Sequence, residues 1–351
     1  MRTVVKKINP EHFQDEELQE ACYILQTGGL VAFPTETVYG LGGDALSPDA
    51  SSKIYHAKGR PSDNPLIVHI ADLESLYDVA VAVSEKALRL AEAFWPGPLT
   101  MIFPKKENVP LSTTGGLDTV AVRMPSHPIS RALIQCSKRY IAAPSANLSG
   151  RPSPTRAEHV IEDMDGRIEM ILDGGMVGIG IESTIIDMTT DIPLILRPGY
   201  ITEDMAKGVI GRVLTDPAVT AVSADKNIVA KAPGMKYRHY APKGQMTIVE
   251  GDSAEVIQKI NALVREKEME QRKAAIIATE ESKGEYDCDQ VYSIGSRKSE
   301  GSIAAGLYDI LRQMDTIGAE YIYVESFAED TLGQAIMNRL LKAAGYHRIR
   351  V

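Results

Sequence analysis

The chain is short of cysteine. Its 351 residues hold three, Cys22, Cys136 and Cys288, scattered too widely for a C-x-x-C zinc set or a disulfide framework. That usage suits a reducing compartment. Long apolar runs are missing, so nothing reads as a membrane span. The opening stretch "MRTVVKKINPEHF" has no apolar core of signal-peptide length. Basic charge is also short: 47 Asp and Glu outnumber 38 Lys and Arg, for a net of −9. This balance argues against a protein that coats nucleic acid electrostatically. There is no fixed-period repeat and no Walker A loop, and "GIGIES" at residues 178–183 is only a fragment of a G-x-G-x-x-G. Neither a Ser–His–Asp order nor a Glu-x-x-His spacing emerges. Catalysis here would rest on steering charge, not on a covalent nucleophile.

The length suits two domains, and 44% hydrophobic with 24% charged residues is ordinary for a soluble globular protein. Up to about Gly211, eight β-rich runs bounded by Gly or Pro read as strands: "GLVAF", "PLIVHI", "LTMIF", "TVAVRM", "YIAAPS", "MILDGG", "STIIDM" and "LILRPG". "SPDASSKIYHA" reads as a helix with Ser47 as N-cap and Pro48 at its first position. "SEKALRLAEAFW" is a second helix, stopped by "PGP". Many strands per helix imply a mixed sheet, not a doubly wound one. From Gly244 the grammar becomes strand–helix alternation, which predicts a smaller α/β sandwich with a largely parallel sheet. That half holds 13 basic and 18 acidic residues, so it carries no anionic-polymer signature. The expected division is 1–211, 212–243 as connector, and 244–351. The connector is odd, because "APGMKYRHYAP" carries Met235, Lys236, Tyr237, Arg238, His239 and Tyr240 where a linker would be plainly polar.

The chemistry-bearing residues gather at strand ends, where α/β sheets place ligand loops. "PTETVYGLG" brings Thr35, Glu36 and Thr37, which could equally be a turn whose hydroxyls satisfy the backbone. "KGRPSDNPLIVHI" sets Lys58 and Arg60 around a glycine, with Ser62 and Asn64 following. An arginine fork and a compact ammonium suit phosphate or carboxylate. His69, inside an apolar strand, reads on its own as a packed histidine. "APSANLSGRPSPT" offers Ser145, Asn147, Ser149, Arg151 and Ser153 in a loop able to present backbone N–H groups to an anion. Arg123 and Arg197 lie in or at the end of apolar strands, where an unpaired charge is costly. From residues alone, this is a pocket for a phosphorylated ligand and a small polar partner.

Taken in order, "PTETVYGLG", "KGRPSDNPL", "SANLSGRPSPT", "ESTIID", "LRPG" and "PGMKYRHYAP" resemble the threonylcarbamoyl-AMP synthases, in their long two-domain YrdC/YwlC form. The resemblance implies a twisted mixed sheet around a basic cavity. It implies an enzyme joining L-threonine, bicarbonate and ATP into threonylcarbamoyl-adenylate with release of pyrophosphate, the first step of a tRNA modification. By motif matching, Thr35, His69, Arg123, the Ala143 carbonyl and Ser183 would hold threonine, which turns His69 from core residue to ligand contact. Lys58, Arg60, Ser145 and Asn147 would form the catalytic tetrad. ATP would meet Lys58, Ser62, Thr119, Ser145, Asn147, Ser153, Arg197 and Tyr237. Mg²⁺ is expected with ATP, its protein ligands unassigned, and no organic cofactor is implied. The product would pass to a tRNA threonylcarbamoyl transferase complex in the cytoplasm, with no stable nucleic-acid or membrane binding by this chain. A labile carbamate and mixed anhydride need water excluded, so the connector would act as a lid. The related carbamoyl-adenylate modules of hydrogenase maturation carry zinc-finger cysteines that this chain lacks.

Overall fold

The computed structural model describes residues 2–220 and 240–351, which separate into two units. One contains the chain up to Ser149 and resumes at Ser153; the other takes Gly150–Pro152 with the C-terminal part through Val351.

In the first unit the eight expected strands all form, and three more join them. The strands are β1 (Val4–Lys7), β2 (Val31–Phe33), β3 (Gly40–Asp44), β4 (Ile67–His69), β5 (Leu99–Pro104), β6 (Thr119–Arg123), β7 (Ile141–Ala143), β8 (Met170–Asp173), β9 (Thr184–Asp187), β10 (Leu194–Arg197) and β11 (Leu214–Thr215). They make one mixed sheet in the order β1-β8-β2-β3-β7-β4-β6-β5-β9-β10-β11. The helices are α1 (Gln19–Gln26), α2 (Pro48–Lys58), α3 (Leu76–Val79), α4 (Glu85–Phe94), α5 (Pro128–Ser137), α6 (Ala157–Met164), α7 (Glu203–Ile210) and α8 (Pro217–Thr220). Helix α2 starts as its sequence dictates, with Ser47 accepting from the Ala50 N–H and Pro48 following. It ends at Gly59, whose φ of 60° is the left-handed conformation glycine adopts without strain.

β3 escapes sequence reading because "GLGGD" has no β-branched residue. Its glycines answer to crowding: a Cβ on Gly42 would stand 2.7 Å from both Ile141 and Phe33. β11 pairs with β10, so the first sheet runs past Gly211 into the stretch read as connector.

One sheet face carries the main core, where Ile54 of α2, Leu90 of α4, Val160 of α6 and Ala206 of α7 pack on Val68, Met101, Val120 and Val122. Part of the other face is covered by α1 and α5, through Leu25, Leu133, Phe33 and Ile141. The same helices bring Cys22 and Cys136 together as a disulfide with Cα atoms 6.0 Å apart. This corrects the reading of three unpaired cysteines. The two lie 114 residues apart in sequence, and only helix packing reveals the pair. Beyond α1 and α5, this face bears a small cluster drawn from strands alone: Ile67, Ile102, Ala121, Ile185 and Leu196. That apolar floor is what positions the site.

The second unit is an all-parallel sheet in the order β14-β13-β15-β12-β16. It comprises β12 (Gln245–Glu250), α9 (Ser253–Met269), β13 (Ala274–Ala278), β14 (Val291–Ser293), α10 (Glu300–Thr316), β15 (Tyr321–Glu325), α11 (Gly333–Ala343) and β16 (Arg348–Arg350). Of the connector's notable residues, only Tyr240 falls among those described. It is buried, takes a positive φ of 64°, and packs on Tyr308 with ring centroids 5.1 Å apart. Met235, Lys236, Tyr237, Arg238 and His239 lie outside the described residues, and with them the expected ATP contact of Tyr237. Among the described residues, no helix is long and apolar enough to cross a membrane.

Candidate active site

Register decides which side chains meet over the apolar floor. β4 and β6 run parallel with Ile67 beside Ala121 and His69 beside Arg123. β7 sets Ala143 beside Ile67. β5 sets Thr100 beside Arg123, and β9 continues with Ile185 beside Thr100. Paired residues share a face, so His69, Arg123, Ala143 and Thr100 rise from the floor side. In β10 a register shift between Ile195 and Arg197 places Arg197 beside Ile185. This bulge turns a charged side chain onto the same face.

The residues expected to hold threonine connect through this arrangement. Arg123 is buried, and its Nη2 donates to Glu36 Oε1 at 2.6 Å. Burial alone would raise the Glu36 carboxyl, yet the Arg123 charge, its hydrogen bond and the Ser126 N–H together hold it below the usual carboxylate range. The pair is therefore ionised. His69 has its Nδ1 within 3.1 Å of the Ile67 carbonyl and 3.3 Å of the Ile141 carbonyl. Burial, with the Arg123 charge adding to it, lowers its pKa to about 3. The imidazole is neutral, with the proton on Nδ1 where both carbonyls can accept it, so Nε2 is left as an acceptor. Ser183 shares a hydrogen bond with Thr100 at 2.8 Å and accepts from Arg197 Nη2 at 3.1 Å. Arg197 Nε also donates to the Ser183 carbonyl. Ser183, assigned to threonine, and Arg197, assigned to ATP, thus form one network.

Thr35 is a special case. Its hydroxyl donates to the Val38 carbonyl at 2.7 Å and accepts from the Thr37 N–H. The satisfied turn weighed from sequence is present, and a ligand contact would have to share that hydroxyl.

Three members of the expected tetrad touch. Lys58, at the buried end of α2, donates from Nζ to the carbonyls of Ser145 and Asn147, each at 2.5 Å. Ser145 donates to Asn147 Oδ1 at 2.5 Å. Arg60 stands two residues on and donates to the Pro65 carbonyl at 3.2 Å. Ser153 is buried and donates to Glu182 Oε1 at 2.6 Å. Thr119 begins β6 on the floor side, paired with Pro104. Ser62 is exposed between α2 and β4 and makes no hydrogen bond within the described structure, so nothing gathers it to the others.

Sequence reasoning named Glu36 only within a polar strand-end turn, without a role, and passed over Ser126, Thr100 and Glu182 as site residues. Glu36 and Glu182 had a signal, since each lies inside a quoted motif; Ser126 and Thr100 emerge only from the hydrogen bonds and register of the fold. Among the described residues, no three His, Cys, Asp or Glu side chains cluster as a metal site.

Two family models match successive parts of the chain. A Sua5/YciO/YrdC family model, described as "Telomere recombination", matches residues 23–199. A second, "Threonylcarbamoyl-AMP synthase, C-terminal domain", matches residues 201–345. The threonylcarbamoyl-AMP synthase of Pyrococcus abyssi is 50% identical over 97% of this chain and 98% of its own. That of Bacillus subtilis is 50% identical over 96% and 95%. The crystal structure of P. abyssi Sua5 complexed with L-threonine superposes with a TM-score of 0.94 at 49% identity, covering 99% of this chain and all of that one.

Proposed function

Since the chain belongs to the Sua5/YciO/YrdC family, in the two-domain form of the threonylcarbamoyl-AMP synthases, we propose that it joins L-threonine, bicarbonate and ATP into threonylcarbamoyl-adenylate, releasing pyrophosphate. The observation that carries this reading is the single face on which Arg123, His69, Ala143 and Ser183–Arg197 converge above an apolar floor.

Threonine sits with its carboxylate toward Arg123, whose guanidinium suits a planar anion. The neutral His69 supplies an acceptor on the same face. The amine takes up the carbon of bicarbonate as water leaves, giving a carbamate. A carbamate oxygen then attacks the α-phosphorus of ATP, and the bond to the β-phosphate oxygen breaks as pyrophosphate departs. No protein nucleophile takes part. The cations of Lys58, Arg60 and Arg197 steer bicarbonate and phosphates and offset the charge that develops. Lys58 also fixes the backbone at Ser145 and Asn147, so these three members of the tetrad are held before substrate arrives. Mg²⁺ would accompany ATP, held chiefly by the phosphates with no protein ligand assigned, and would supply charge neutralisation there. The product passes in the cytoplasm to a transferase that acts on tRNA.

The test is mass-spectrometric detection of threonylcarbamoyl-adenylate after mixing the protein with the three substrates. The reading fails if ATP is hydrolysed but no such adenylate forms.

A further inference from the structure

Glu36 has no part in the reading above, yet it is tied into the site at three points. Its Oε1 accepts from Arg123 Nη2 at 2.6 Å, its Oε2 accepts from the Ser126 N–H at 3.1 Å, and its carbonyl accepts from the Ile179 N–H at 2.9 Å. Both side chains of the pair are withdrawn from water, at 5% and 13% exposure. Among the described residues, Arg123 Nε is buried and finds no hydrogen-bond partner. A guanidinium is a rigid plane of five N–H donors, so fixing one terminal nitrogen fixes the direction of the rest. Leaving a buried donor unpaired costs about 1–3 kcal/mol. A buried donor left unpaired calls for an explanation, and beside the other candidate ligand residues of this face a ligand that completes the bond supplies one.

We infer that Glu36 is a positioning residue: it anchors one end of the Arg123 guanidinium and leaves Nε for the carboxylate of threonine. This rests on the reading of Arg123 as the carboxylate ligand. Three features suit the task. The carboxylate is ionised at working pH, so the anchor is charged. Its second oxygen is spent on the Ser126 N–H, just past the end of β6, which fixes the turn leaving the strand that carries Arg123. Its backbone is strapped by Ile179, so the anchor does not move when the ligand leaves.

Steady-state kinetics of Glu36→Gln, Arg123→Ala and the double variant test the idea, with threonine and ATP varied separately. Gln keeps the shape and removes the charge. The expected result is a rise of about tenfold in the threonine KM for Glu36→Gln, with kcat and the ATP KM within about twofold. In the Arg123→Ala background, Glu36→Gln should add less than twofold, because the residue acts through that arginine. An equal rise in both backgrounds would overturn the proposal, since Glu36 would then act on its own. So would a fall in kcat with an unchanged threonine KM. If Arg123→Ala itself leaves the threonine KM unaltered, the carboxylate assignment fails, and the role of Glu36 fails with it by a separate observation. Should Glu36→Gln melt below the assay temperature, Glu36→Asp takes its place. It keeps the charge but withdraws it by one methylene, and the same split is expected.

Discussion

At the scale of single residues, Lys58 has two duties that one substitution exposes together. Its ammonium is buried and holds two backbone carbonyls, and it is proposed to face the phosphates of ATP. Lys58→Ala should lower kcat about 100- to 1,000-fold, the usual loss when one preorganised donor is removed. It should also cost about 1–3 kcal/mol of stability, because the Ser145 and Asn147 carbonyls lose their buried partner. Pyrophosphate release and a urea titration read the two effects separately. Loss of activity with no stability change would mean that the carbonyl contacts contribute nothing. Ser62 marks the opposite case. It is exposed and makes no hydrogen bond among the described residues, so Ser62→Ala should leave the unfolding midpoint unchanged, and any rise in the ATP KM can be read as lost ligand contact.

Among elements, the close approach behind Ser183 is the most constrained. A Cβ on Gly199 would lie 2.5 Å from the Thr184 nitrogen and 2.7 Å from the Glu182 carbonyl oxygen. Backbone atoms cannot swing aside as a side chain can. Gly199→Ala should therefore push β10 from β9, cost about 1–3 kcal/mol, and raise KM for both threonine and ATP by disturbing the Ser183–Arg197 network. Wild-type stability and kinetics for this variant would contradict the account. The same stretch shows how far sequence reading reaches. "STIIDM" and "LILRPG" are legible as strands because branched apolar residues end in Gly or Pro. That Arg197 shares a face with Arg123 is not legible, because it depends on a bulge and on β5 lying between β6 and β9. β3 stayed hidden for the reverse reason: its glycines answer to crowding, not to strand propensity. Lys58, Arg60, Ser145 and Asn147 could be picked out because charge and small polar residues concentrate in two loops. The direct contact of Lys58, Ser145 and Asn147 arises from the end of α2 meeting the turn after β7.

Over the whole molecule, the buried His69 and the half-buried His127 should set the response to acid. Burial and the Arg123 charge lower His69 to about 3. Burial lowers His127 to about 4, with Glu36 pulling the other way. Both titrate near 6.5 once unfolded, so between these values the unfolded chain binds more protons than the folded one. Stability is then fully present above about pH 6.5 and is lost as pH falls toward the folded values, by about 1.4 kcal/mol per pH unit for each group. Urea midpoints at pH 7 and pH 5 should differ accordingly. His127→Asn, which keeps an N-cap acceptor for α5, should remove one share of the slope. Equal midpoints at the two pH values would contradict the lowered folded-state values of His69 and His127.

The central claim is that one site joins threonine and bicarbonate before it attacks ATP. It is tested most directly by pyrophosphate release, measured with all three substrates and then with each omitted in turn. The account predicts release that requires threonine and bicarbonate together. Release at an undiminished rate without threonine, or none with all three present, would contradict it.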